Sequence, residues 1–226
     1  RNRRGHHMGI LDKLRALLPV GPAAGNLSSA GSPPPPAIGK GAAMPSRHDD
    51  FHDFFRLKIL PYEGGYVVDH AGMTNMGVIA ATWATFKGKP VEAVTEAEMR
   101  ALTPDDVEPV YRKLFWDALR CGELPRGVGI SVFDHACGAG LRRAAQMLQR
   151  ISGVTADGVI GPQTIEAASR INAVAMIDRY RDARLAYYRS LTDTPNGNLY
   201  AKYGRGWDRR ARETAEWAKA RLGDAP

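Results

Sequence analysis

Only two cysteines stand in 226 residues, too few for a disulfide framework. Cys121 and Cys137 both fall in apolar stretches, which suits buried free thiols; a Cys121–Cys137 bridge is the alternative. No apolar run is long enough to span a bilayer. No group of Cys and His residues shows metal-ligand spacing, so no metal is expected. There is no strand–helix–strand alternation and no glycine-rich phosphate loop, and no organic cofactor is implied. No secretion signal is recognisable either. The one apolar stretch near the start, residues 10–18, is too short and is broken by charges. The chain is therefore expected to be made in the cytoplasm without a signal peptide. His6 and His7, just ahead of Met8, look like an artificial leader before a native start.

What the sequence does have is positive charge. The formal net charge is +7 and the sequence pI about 9.6, a balance that favours an anionic partner: nucleic acid, an acidic membrane surface or a cell wall. A nucleic-acid binder is not expected, because no recognised motif accompanies the charge. The hydrophobic fraction of 44% is ordinary for a globular protein.

Three regions follow from composition and periodicity. Residues 1–46 form a tail. Within it Ile10, Leu11, Leu14, Leu17 and Leu18 recur at helical spacing, which suits docking on a partner or membrane surface, or capping the chain's own fold. A Gly-, Ala- and Pro-rich linker follows, with Pro33 to Pro36 as semi-rigid polyproline. Residues 47–140 and 141–226 are mainly helical. A helix is predicted over 47–62, capped by Ser46 and ended or kinked by Pro61. The stretch 66–78 suits a short hairpin or ordered loop. Further helices are expected over 80–86, 96–102 (from a Thr95/Glu98 capping box), 104–120, 128–136, 141–151, 162–170, 173–191 and 207–222. The fold class is mainly α.

The informative carboxylate is Glu63, where an apolar helical run stops and Gly64-Gly65-Tyr66 begins. Cleaving an acetal needs a proton for the leaving oxygen and a base or nucleophile on the other face. Glu63 can be that acid if partial burial raises its pKa. Asp69 can orient water, and the Thr74 hydroxyl can hold it. Gly64 and Gly65 leave room for a sugar ring, with Tyr66 and Asn75 beside it. The bland readings are an exposed helix-end Glu63, a turn-capping Asp69 and an ordinary strand Thr74. Asp134, in an apolar helix, reads as a buried acid satisfied by a neighbour. Trp83, Trp116 and Trp207 read as core before they read as sugar platforms.

Glu63-Gly64-Gly65-Tyr66-Val67, Thr74-Asn75-Met76-Gly77-Val78, Tyr111-Arg112, Phe115-Trp116-Asp117 and Phe133-Asp134 together resemble glycoside hydrolase family 108, the phage-type and secretion-associated N-acetylmuramidases. Leu148-Gln149-Arg150, the run Asp157 to Thr164 and Gly204-Arg205-Gly206-Trp207 resemble the peptidoglycan-binding domain that accompanies it. The resemblance implies a lysozyme-like helical fold with Glu63 at the family's catalytic glutamate, and it implies cleavage of the β-1,4 bond between N-acetylmuramic acid and N-acetylglucosamine. There are two departures from the pattern. The loop between Tyr66 and Thr74 is shorter than usual, so Asp69 stands for either the first or the second acid of the family loop. Cys137-Gly138-Ala139-Gly140 replaces a pattern that usually carries an Asn.

The expected protein is a peptidoglycan hydrolase, monomeric and without cofactor. It would reach the wall through a holin, a secretion system or a phage-like particle. The alternative is a wall-binding protein of the same fold with weakened catalysis.

Overall fold

The computed structural model describes residues 50–69 and 72–223, except for the side chain of Asp69. The expected helix over residues 10–18, the linker and the Ser46 cap lie outside the described residues. The fold is mainly α with one small sheet. The elements are α1 (Asp50–Phe54), strands β1 (Val67–Asp69), β2 (Gly72–Asn75) and β3 (Val78–Ile79), and helices α2 (Ala80–Lys87), α3 (Glu96–Ala101), α4 (Pro104–Tyr111), α5 (Val128–Ala139), α6 (Leu141–Ser152), α7 (Pro162–Ser169), α8 (Ala173–Arg189) and α9 (Leu199–Ala220).

Helix α5 is the axis of the molecule. All of its 12 residues are buried, and α1, α6, α8 and α9 pack around it. A largely apolar helix with no solvent-facing side has to be enclosed on every side, and its polar members Ser131, Asp134 and His135 are buried with it. Phe133 on α5 meets Phe51 at 5.3 Å and Trp116 at 5.7 Å between ring centroids. Such pairs add about 0.5–1.5 kcal/mol each beyond simple burial. Trp83, Trp116 and Trp207 are all core residues. Cys121 and Cys137 are buried free thiols.

The sheet is antiparallel in the order β1-β2-β3. Asn75 pairs with Val78, leaving a two-residue loop in which Met76 (φ 45) and Gly77 (φ 75) are both left-handed. That is the conformation a tight hairpin of right-twisted strands requires.

Local signals mark most helix starts. The Thr95 hydroxyl accepts from Glu98 N at 3.2 Å, and Thr103 with Asp106 forms a complete capping box. Pro162 opens α7. Two boundaries are well off the expectation: the helix expected over 104–120 is α-helical only to Tyr111 and continues as a π-turn over Arg112–Asp117, and α9 begins at Leu199 rather than near 207, with Asn198 as its cap. Gly204 and Gly206 both disfavour a helix interior. In the fold, a Cβ on Gly204 would lie 2.4 Å from the Tyr200 ring, so Gly204 makes room for a packed tyrosine inside the helix.

Candidate active site

The chain reaches Glu63 through a helix that changes its winding. After α1, residues Phe55–Ile59 wind as a wider π-turn, and the Leu60 N–H reaches back to Phe55 O. Leu60–Tyr62 then tightens into a 3-10 turn, closed by Glu63 N on Leu60 O at 3.1 Å. Pro61 has no N–H to pass the ladder on, and π-turns often mark functional sites. The winding thus changes from Phe55 onward, earlier than the single kink expected at Pro61.

Glu63 follows with extended backbone (φ −82, ψ 133). It is half-buried, and its Oε1 is withdrawn from solvent. Gly64 and Gly65 border open space, with nothing within 4 Å of where a Cβ would stand. The Gly64 carbonyl accepts from Met76 N at 3.1 Å, and the Tyr111 hydroxyl donates to Met76 O at 3.2 Å. The turn after Glu63 is thereby fastened to the β2–β3 hairpin and to α4.

Beside that hairpin lies a cavity of about 150 Å³. Its walls include Gly77 and Val78, Tyr111 and Phe115, and Cys137 and Gly138 near the end of α5. Glu63 acts electrostatically on Cys137: burial pushes that thiol well above its usual value, and the Glu63 carboxylate pushes in the same direction. Cys137 is therefore a neutral wall group.

The other expected site residues are placed as follows. Thr74 is 5% exposed, and its hydroxyl has no hydrogen-bond partner among the described residues. Asp69 pairs through its backbone with Gly72. The Tyr66 ring carries the Arg100 guanidinium 4.0 Å above its centroid. Asn75 is 6% exposed, and its amide donates to Met99 O at 2.8 Å, joining β2 to α3. No group of three or more metal-binding side chains occurs among the described residues.

Beneath the site lies a buried ion cluster. Asp134 accepts from Arg184 Nη1 at 2.6 Å, Arg210 Nε at 2.7 Å and Thr214 Oγ1 at 3.0 Å. Burial opposes ionisation of Asp134, but Arg210 and Arg184 outweigh it and hold the carboxyl below the usual range. Burial likewise opposes the Arg210 charge, and Asp134 and then Glu63 restore it. The buried acid was legible in the sequence, but its partners were not. The signal was there: Arg184 and Arg210 each fall on the buried stripe of an otherwise apolar helix face, with Tyr180 and Tyr188 on α8 and with Trp207 and Thr214 on α9.

Residues 57–140 match the family model described as glycosyl hydrolase 108. Residues 143–212 match a model described as a predicted peptidoglycan domain. The chain also resembles the solved structure of SagA from Brucella abortus, with 34% sequence identity and a TM-score of 0.62, over 75% of this chain and 94% of that one. The chain belongs to glycosyl hydrolase family 108. Membership of that family, with the peptidoglycan domain behind it, makes it a glycoside hydrolase that acts on peptidoglycan. No curated protein matches it.

Proposed function

We propose that the protein is an N-acetylmuramidase, cutting the β-1,4 bond from N-acetylmuramic acid to N-acetylglucosamine, with Glu63 as general acid. The observation that carries the proposal is Glu63 itself. It is a half-buried carboxylate at the exit of a rewound helix, followed in the chain by Gly64 and Gly65, which border open space. Glu63 gives its proton to the glycosidic oxygen as the C1–O bond breaks. Water delivered to the sugar carbon takes the bond's place. The buried Thr74 hydroxyl, which lacks a protein partner among the described residues, suits holding that water. Asp69 is assigned to orienting it. Gly64, Gly65 and Tyr66 border the path of the sugar. Asn75 supports the sheet through Met99. The basic surface favours the anionic wall. The setting that fits best is release to the wall by a holin or secretion system, or carriage on a phage-like particle.

Glu63→Gln should lower hydrolysis of purified peptidoglycan by about 10²–10⁴-fold, the range for losing a general acid, with unchanged circular dichroism. Borohydride reduction of the wild-type products should yield muramitol ends. Glucosaminitol ends would reassign the bond, and a Glu63→Gln enzyme that clears the wall at the normal rate would remove Glu63 from its role.

A further inference from the structure

Helix α9 starts in the segment that matches the peptidoglycan domain and runs eight residues past it, and it grips the residue just before Glu63. The Tyr62 hydroxyl donates to Glu213 Oε2 at 3.2 Å, and Arg210 Cζ sits 5.7 Å from the Tyr62 ring centroid. Arg210 is 5% exposed. Its Nε is committed to Asp134. Its two Nη nitrogens are buried with no hydrogen-bond partner among the described residues. A buried guanidinium that uses one of its three nitrogens is costly unless a negative charge stands nearby.

The local charges do not balance without Glu63. Asp134 faces both Arg184 and Arg210, one acid against two cations. On the same helix Arg209 and Glu213 lie 3.9 Å apart and offset each other. Cys137, on α5, is held as a neutral thiol. Tyr62 is held neutral, by burial first and then by Glu213. One positive charge is left over, on Arg210, which Glu63 stabilises electrostatically.

We propose that Arg210 is a positioning residue for the hydrolytic reaction, through which the wall-binding segment sets the orientation and proton affinity of Glu63. The proposal rests on the reading of Glu63 as general acid. A nearby cation favours the ionised carboxylate, whereas the reaction needs the protonated one. Arg210 therefore sets the pH above which the enzyme falls silent, the alkaline limb of its pH profile.

The test is the pH dependence of kcat/KM on soluble peptidoglycan fragments. Arg210→Met removes the charge and should move the alkaline limb up by about one unit, while Arg210→Lys keeps the charge and should leave the limb near its wild-type place. Asp134→Asn raises the surplus and should move the limb the other way, to lower pH; it decides the question alone if Arg210→Met does not fold. If Arg210→Met and Asp134→Asn lose activity by the same factor at every pH, with the limb unmoved, Arg210 is only structural. That outcome differs from an active Glu63→Gln enzyme, which would instead sink the assignment of the acid.

Discussion

The segments 57–140 and 143–212 are built on opposite plans. The first is irregular. It holds most of one π-turn and all of a second, three 3-10 turns, strands of two to four residues, and the two left-handed non-glycine residues among the described residues, Met76 and Arg120. The second is regular, with helices of 8 and 17 residues and most of two more, of 12 and 22. It also holds both arginines of the buried cluster. Irregular backbone aims groups into open space, but it makes few regular contacts of its own. Regular helices supply a stiff backing, and here the backing is also charged. The first segment is shaped by local turns, and both counter-charges of its buried acid come from the second.

The contrast can be broken most directly at Asp134. Asp134→Ala leaves two guanidinium groups buried without their acid, which should cost about 3–5 kcal/mol. Calorimetry should then show one transition at lower temperature. Two separate transitions would mean that the halves fold independently and that the contrast is between neighbours rather than partners.

A smaller effect is expected within the regular half. The Gln149 amide donates to Asp157 Oδ1, Val159 O and Thr164 Oγ1, and its carbonyl accepts from Gly158 N at 2.8 Å. Gln149→Ala should cost about 2–3 kcal/mol, several modest hydrogen bonds at once, read as a lower urea midpoint. An unchanged midpoint would show that the loop over 157–161 holds itself.

The mildest effect concerns pH. The Tyr180 hydroxyl spends its proton on Ala144 O, so His135 Nδ1, 3.0 Å away, is the donor of that pair. Burial, then Arg184, pushes His135 well below the usual histidine value. The folded ring refuses a proton that the unfolded ring accepts below about pH 6.5. Stability is therefore full above that pH and declines as pH falls through it, by at most about 1.4 kcal/mol per unit. Urea midpoints at pH 7.5, 6 and 5 should follow this slope, and His135→Gln should flatten it.

Much of this was legible before any coordinates. Caps, prolines and apolar stripes place the helices because those signals are local. The Thr103 box and the Pro162 start are read off a few residues. Glu63, too, is visible as a lone acid at the end of an apolar run. The start of α9 is not, because Gly204 disfavours a helix interior and Tyr200 is seen packing on it only in the fold. The rewinding at Phe55 carries no local signature. The partners of Asp134 sit on buried helix stripes, but they lie 50 and 76 residues away in the chain. Long-range pairing of charges is decided by how helices dock, and periodicity does not encode which buried arginine meets which acid.

The cluster on Asp134 also bears on how such enzymes diversify. Two adjoining family segments invite the idea that a wall-binding part could be exchanged for another by recombination near residue 141. In this molecule that junction separates an acid on α5 from both of its counter-charges on α8 and α9. A transplanted segment would have to bring a cation to each of the same two places, on helices docked the same way. Exchange at this joint is therefore restricted to donors that already share the cluster, and the two segments are expected to have been inherited together.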